Sequence, residues 1–223
     1  MSNSQAYIFE LVRQHDRDRF VTAMFAPATA RDALIALYAL NVELARIPAT
    51  VSEPMLGQMR IQWWRDLLGR MFDGGAPPEG HPVSQTLTSV LPLLDRAAVM
   101  TFIDAHEAAF TAEDATAGEA PVGRALARIA LGLLKAADDA TIAAANDAAI
   151  ALTLANELRR SPSADVAAHA RQHIVGARAE QARVDRRGLP VLLWCTAAEA
   201  RLRNPNGPPP VIRLWWNALR GKY

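Results

Sequence analysis

The sequence predicts an all-α fold, and two observations lead to that class. Apolar residues recur three and four positions apart along most of the 223 residues, and alanine, the strongest helix former, supplies 44 of them. The composition also bounds the function. With 51% hydrophobic and 21% charged residues the chain is not an extended disordered protein, and 24 Lys and Arg against 23 Asp and Glu lack the basic excess of a nucleic-acid binder.

Helix starts can be justified in chain order. Asp16 stands where the N-cap of a second helix is expected, and Thr29 with Asp32 resembles a capping box for the third. Pro54 suits the first turn of the fourth helix, and Pro121 is expected to open the seventh. The periodicity then predicts helices near residues 3–14, 17–25, 30–48, 53–72, 83–94, 96–111, 121–137, 141–160, 164–183, 189–203 and 209–220.

Two loops interrupt the helices without dividing the chain into domains. Residues 73–80 and 204–210 are rich in glycine and proline, which terminate helices, but both are short for domain linkers. The helices on either side need one another to bury their apolar stripes. We therefore expect one domain over residues 1–223, whose C-terminal helix over 209–220 can lie at the periphery.

The cysteine count and the hydropathy pattern predict a location. Cys195 is the only cysteine, which excludes an intrachain disulfide and a cysteine-based zinc site, and its apolar neighbours favour a buried role. The first residues lack the apolar run of a secretory signal, and no stretch reaches the roughly 18 consecutive apolar residues of a membrane span. We expect a cytoplasmic protein that can associate with the inner face of a membrane.

The polar cluster from His15 to Arg19 allows two interpretations. A metal site would need its side chains to converge from one face, whereas residues one apart on a helix point in different directions. The favoured alternative makes Asp16 an N-cap and places Asp18 in a first helical turn. The pair His169 and His173 lacks a third ligand nearby, so we predict no metal site in the chain.

Aromatic and charged pairs elsewhere also allow two roles. Trp63 and Trp64 point about 100° apart on a helix, which favours one in the core and one at its boundary over a ligand-stacking role. Glu43 and Arg46 are spaced for an ion pair, either exposed on the helix or lining a cavity.

The C-terminal segment combines tryptophan with positive charge. From Arg201 onward there are five cations and no acid. Trp215 and Trp216, flanked by Arg213 and Arg220, suit contact with lipid headgroups or with a partner, and the alternative is a helix docked onto the domain with its tryptophans buried.

Several motifs together resemble the squalene/phytoene synthase family, and in particular its short bacterial branch related to a mitochondrial assembly factor of respiratory complex I. The resemblance is strong over residues 15–68 and weaker over 115–160. Its motifs are the runs at 15–20, 36–41, 51–54 and 62–66, then Ala117-Gly118 and residues 154–159. It implies an all-α fold with a single isoprenoid-synthase-like helical bundle around a central cavity.

The resemblance also implies what the cavity of an active member contains. Such enzymes join two prenyl diphosphates head to head and hold them through Mg²⁺ on two aspartate-rich motifs. Here the first motif falls on Ala45, Arg46 and Ala49, and none of them is acidic. The second motif sets its glutamine, asparagine, arginine and two aspartates on Thr153, Asn156, Arg159, Arg160 and Ala164.

Because both carboxylate sets are replaced, we predict no catalytic residue, no metal and no cofactor. The leading hypothesis is a non-catalytic binding or assembly scaffold, with a respiratory complex I assembly partner. The alternatives are a head-to-head prenyl transferase with a rearranged site, which would need Mg²⁺, and a carrier of an isoprenoid or lipid ligand. Candidate cavity or diphosphate-binding residues are His15, Tyr38, Glu43, Arg46, Asn156, Arg159 and Arg160.

Overall fold

The computed structural model describes residues 2–112 and 115–223, with the backbone alone described at 115–119. Within these ranges the regular elements are thirteen α-helices and two 3₁₀-helices, and there is no strand, which confirms the predicted class. The helices are α1 Asn3–His15, α2 Arg17–Ala23, α3 Ala28–Ala45, α4 Ile47–Thr50, α5 Pro54–Phe72, α6 Pro82–Leu87, α7 Arg96–Thr111, α8 Ala115–Leu133, α9 Asp139–Glu157, α10 Ala164–Ala179, α11 Leu189–Leu192, α12 Trp194–Arg203 and α13 Val211–Arg220.

Short polar side chains start several helices, as the sequence suggested. Asp16 caps α2 by accepting from the backbone N–H of Arg19, and Asp138 caps α9 by accepting from that of Thr141. The predicted capping box on α3 is wrong, because Pro27 occupies its N-cap position and Thr29 lies inside the helix. Proline opens that helix instead, with an extended backbone that directs the chain into the first turn.

Four predicted helices differ markedly from the observed ones, and proline explains two of the differences. The predicted helix 83–94 breaks after Leu87 and resumes as a 3₁₀ turn around Pro92. Pro48 lies in the first turn of the separate short helix α4, which divides the predicted helix 30–48. The predicted helix 189–203 is divided at Leu193, between α11 and α12. Pro121, by contrast, lies inside α8, which begins at Ala115.

Helices α3 and α9 form the centre of the bundle. Leu34 to Asn41 of α3 is buried on every side, and α9 presents a row of buried alanines through which it packs closely on α8, α10 and α12. Alanine at these positions lets helix axes approach one another, which is why the alanine-rich composition yields a packed bundle. The C-terminal ends of both helices border an open cavity.

The C-terminal helix α13 is attached by one face only. Leu214 is fully buried, the Asn217 side chain donates to Thr196 Oγ1 at 2.9 Å, and the Tyr223 hydroxyl donates to the Ala177 carbonyl at 2.9 Å. Trp215 and Trp216 are exposed. The alternative of a helix docked with its tryptophans buried is therefore wrong, because Leu214 makes the contact in their place.

In the described part of the chain, no helix has both the length and the apolarity needed to cross a bilayer.

Candidate functional site

A cavity of about 830 Å³ lies at the centre of the bundle. Its walls come mainly from helices: the C-terminal ends of α1, α3 and α9, the start of α2, and parts of α4, α5, α7 and α8, with Arg159, Arg160 and Asn206 contributed by the segments between helices. The lining residues are His15, Asp16, Arg19, Asn41, Val42, Leu44, Ala45, Arg46, Pro48, Ala49, Ile61, His106, Ala109, Phe110, Ala112, Val122, Gly123, Thr153, Asn156, Arg159, Arg160 and Asn206.

Arg19 is a buried cation in the cavity wall. Its guanidinium forms an ion pair with Asp16 at 2.8 Å and lies 4.5 Å from the ring centroid of Trp194. Asp16 contacts Arg19 in two ways. Its carboxylate pairs with the guanidinium, and it also accepts from the backbone N–H of Arg19 as the cap of α2. The Nε atom of Arg19 is buried and has no hydrogen-bond partner among the described residues. A buried donor left unpaired is costly, so this atom is suited to a ligand acceptor.

Two further buried polar atoms in the wall lack a partner among the described residues. They are Nε2 of His106 and Oδ1 of Asn156. Burial, together with the positive charge of Arg19, lowers the pKa of His106 to about 3, so its imidazole is neutral at physiological pH. The wall thus offers the side-chain Nε–H of Arg19 as a donor and the side-chain Oδ1 of Asn156 as an acceptor. The neutral imidazole of His106 can be either, depending on its tautomer.

The mouth of the cavity is cationic and exposed. Arg46, Arg159 and Arg160 lie there as exposed residues, with Arg160 paired to Glu157 at 2.7 Å. Ala45 and Ala49 lie beside Arg46. Positive charge therefore runs from the solvent edge to Arg19 inside, opposed in the described lining by the single carboxylate of Asp16.

Five of the seven candidate cavity residues line this cavity, namely His15, Arg46, Asn156, Arg159 and Arg160. Tyr38 and Glu43 are not among the lining residues. Tyr38 is fully buried behind the wall, 6.0 Å from Trp194 between ring centroids, and burial raises the pKa of its hydroxyl. Among the ion pairs of the described residues, Glu43 and Arg46 do not contact each other, so the suggested pair is not formed. The functional roles of all seven remain predictions.

The described lining does not fit Mg²⁺. The ion prefers several oxygen ligands, commonly carboxylates, and the one carboxylate of this lining is occupied by Arg19 and by the cap of α2. The methyl groups of Ala45 and Ala49 and the guanidinium of Arg46 occupy the positions that correspond to the first aspartate-rich motif. Across the described residues, moreover, no three His, Cys, Asp or Glu side chains converge as a metal site would require. Ala117 and Gly118, which belong to the weaker part of the resemblance, lie in the segment 115–119, of which the backbone alone is described.

Sequence reasoning missed the two buried ionisable residues of the wall, Arg19 and His106. Arg19 belongs to the polar cluster interpreted above as a helix start, and His106 lies in none of the sequence motifs. The available signal for Arg19 was its position three residues after an N-cap aspartate, where the two side chains meet on one helical face. Asp18, expected in a first turn, is there and also forms a buried pair with Arg201, at 2.8 Å between Oδ2 and Nε.

Several other predicted side chains take structural positions. Trp64 is buried and Trp63 exposed, which confirms the division between core and boundary. Cys195 is buried, and burial raises the pKa of its thiol to about 12, so it is an inert core residue. His173 contacts Asp147 at 2.8 Å through Nδ1.

Comparison with known proteins identifies the family. The family model for squalene/phytoene synthase matches residues 12–163. Complex I assembly factor 6 of Bos taurus is 36% identical over 76 residues, 34% of this chain and 23% of that protein. The Homo sapiens protein is 35% identical over 71 residues, 32% of this chain and 21% of its own length. The matches thus span less than a quarter of these relatives.

Two solved structures share the fold. Squalene synthase HpnC from Alicyclobacillus acidocaldarius superposes with a TM-score of 0.70 at 16% identity, covering 90% of this chain and 92% of that one. A dehydrosqualene synthase crystallised with a ligand gives 0.69 at 10% identity, covering 97% and 95%. These likenesses place the helices in the isoprenoid synthase bundle. Because the family model spans more than half of the chain, this protein belongs to the squalene/phytoene synthase family.

Proposed function

We propose that this protein is a non-catalytic member of its family and acts as a binding or assembly scaffold, with a respiratory complex I intermediate as its partner. One observation carries the proposal. The described cavity lining presents arginine and alanine where the family resemblance implies Mg²⁺-binding aspartates, as at Ala45, Arg46 and Ala49. A leaving diphosphate needs strong charge stabilisation as it departs, and neutral methyl groups supply none.

The names of the relatives support the choice of partner. Five matching proteins, from mammals and from Drosophila melanogaster, carry the name of complex I assembly factor 6 or its homologue. We extend that role to this chain as a proposal, and with it a position in the cytoplasm at the inner face of the membrane. The lone buried cysteine is in keeping with a reducing compartment.

The partner assignment can be tested by affinity capture. The tagged protein is expressed at its native level, the host membranes are gently solubilised, and captured proteins are quantified against a host expressing the tag alone. We expect complex I subunits or assembly intermediates to be enriched. Capture without any subunit of a respiratory complex would contradict the assignment.

We further infer that the cavity holds an apolar molecule with an anionic polar group, in the manner of an isoprenoid or lipid carrier. The unpartnered Arg19 Nε and Asn156 Oδ1 favour an occupant, and the arginines at the mouth suit phosphate oxygens. Native mass spectrometry of gently extracted protein should show a bound apolar molecule, reduced in an Arg19→Met variant. A wild-type protein isolated without any such molecule would contradict this role.

A further inference from the structure

The outer face of α13 is a large apolar surface that the described chain leaves uncovered. Ile212 is 85% exposed, Leu219 63% and Trp215 55%, and Val211 and Trp216 are exposed beside them. At about 100° per residue, these five side chains fall within one arc of about 140° around the helix. Single exposed apolar residues need no explanation, but a continuous face of this size marks an interaction surface.

The opposite face of α13 fixes its orientation. Leu214 is buried in the core and Asn217 donates to Thr196 on α12. Beyond the helix, the Tyr223 carbonyl accepts from Arg178 Nε at 2.7 Å. The helix is therefore held along its inner side, and the apolar arc points outward without any rearrangement of the bundle.

Positive charge borders this apolar face. Arg213, Arg203 and Arg178 all contact the single carboxylate of Glu199, at 2.7, 3.1 and 2.9 Å. Burial alone would raise the pKa of Glu199, but the arginines lower it, so it stays ionised and three cations surround one anion. Arg220 stacks on Trp216 with 4.2 Å between the guanidinium carbon and the ring centroid, and Lys222 adds a further charge.

A second exposed apolar patch, on α5, differs in its charges. It comprises Met55, Leu56, Met59 and Trp63. Glu53, Asp66 and one exposed cation, Arg60, flank it along the helix. Arg65 of the same helix is paired with Asp104 and Glu107, so the patch lacks the positive border that α13 has. The two patches offer similar apolar groups, and charge distinguishes them.

We propose that the outer face of α13 docks onto an anionic phospholipid bilayer, with the helix lying in the plane of the interface. Tryptophan and arginine suit the headgroup layer, and Ile212, Leu219 and Trp215 reach the acyl boundary. This surface deepens the membrane position within the proposed function by naming the lipid chemistry and the residues. Docking would not require complex I, so vesicle binding and complex I capture fail independently.

Vesicle flotation with the full chain tests the proposal. Vesicles of phosphatidylcholine alone are compared with vesicles that also contain phosphatidylglycerol, for the wild type, for the triple variant Ile212→Ser/Trp215→Ser/Leu219→Ser and for the matched control Met55→Ser/Leu56→Ser/Met59→Ser. We expect binding to the anionic vesicles, weakened at least about tenfold in the α13 variant and unchanged in the α5 control. Circular dichroism melts establish that each variant is folded.

Charge and alternative occupants supply the other arms. Arg220→Gln/Lys222→Gln should lower affinity for anionic vesicles about tenfold and leave the weak binding to neutral vesicles unchanged. Equal flotation of the wild type and the α13 triple variant would overturn the proposal. So would a wild-type protein that ignores both vesicles, or one that instead forms a dimer in sedimentation equilibrium that the α13 substitutions dissociate.

Discussion

The central cavity and the outer face of α13 both combine arginine with an aromatic ring, in opposite settings. Inside, Arg19 lies against Trp194, paired with Asp16 and shielded from water. Outside, Arg220 stacks on Trp216 in the open. A buried guanidinium whose neighbours fix its position can hold a ligand group in one place, because the low-dielectric wall strengthens its interactions. An exposed pair gains little by itself and acquires its function from what it contacts.

The largest expected effect concerns the contact that joins these two regions. Arg201 of α12 binds Asp18 beside the cavity, and it also donates to the carbonyls of Pro205 and Gly207 in the loop that leads to α13. Arg201→Met leaves Asp18 buried and unpaired, so the free energy of unfolding should fall by about 3–5 kcal/mol. Urea denaturation followed by circular dichroism measures this loss.

Two further variants separate pairing from packing at this contact. Arg203→Met removes an exposed arginine from the same helix and should cost less than about 1 kcal/mol. Adding Asp18→Leu to Arg201→Met should recover most of the loss, because no uncompensated charge remains. Equal effects of Arg201→Met and Arg203→Met would contradict the structural importance of the buried pair.

A second prediction concerns a substitution, Gly57→Ala, that should narrow the cavity without changing its charge. A Cβ on Gly57 of α5 would stand 2.1 Å from Cζ of Phe110, whose ring lines the cavity, whereas a Cβ on Gly69 of the same helix meets nothing within 4 Å. Gly57→Ala should destabilise by about 1–3 kcal/mol, through overpacking. Gly69→Ala should stabilise by up to about 1 kcal/mol, through helix propensity.

Thermal melts of the two glycine variants check the opposite signs, and native mass spectrometry compares how much apolar ligand each retains. Reduced occupancy in Gly57→Ala alone would sharpen the assignment of the cavity as a ligand site. If the two substitutions changed stability equally, the close packing of α5 on α7 would be contradicted.

A third prediction uses pH to distinguish the buried wall from the exposed helix. His106 is neutral in the fold because its pKa is lowered to about 3, whereas in the unfolded chain it titrates near about 6.5. Below about pH 6.5 the unfolded state binds more protons than the folded state, so the free energy of unfolding decreases as the pH is lowered. Between pH 6 and 4 the wild type should lose about 1 kcal/mol per pH unit more than His106→Asn, which cannot titrate. Equal losses of unfolding free energy in the wild type and in His106→Asn over this pH range would contradict the buried neutral imidazole.

The smallest expected effect lies on α13. Trp215→Ser removes a large side chain that touches mainly solvent, so the free energy of unfolding should change by less than about 0.5 kcal/mol. Leu214→Ala, one position away but fully buried, should cost about 2–5 kcal/mol. The comparison is made by urea denaturation without lipid, and a large loss in Trp215→Ser would mean that its side chain supports the fold.

The sequence predicted the helical class and most helices because periodicity and N-caps act locally. It did not predict the breaks near Pro48, Pro92 and Leu193, because apolar residues continue across each of them. In the cavity, the family motifs located Arg46 and Asn156. Arg19 and His106 were missed because their burial depends on helices distant in sequence, and Tyr38 was displaced behind the wall by packing against Trp194. Periodicity could identify α13 as amphipathic, but only the fold determined that Leu214 faces inward.

The central claim is that this cavity cannot ionise a prenyl diphosphate with Mg²⁺. The direct measurement is pyrophosphate release by the purified full chain supplied with farnesyl or geranylgeranyl diphosphate, with and without Mg²⁺, alongside an Arg159→Ala variant. We predict no release above the protein-free background in either condition. Release that requires Mg²⁺ and is abolished by Arg159→Ala would contradict the claim and identify the protein as a prenyl transferase.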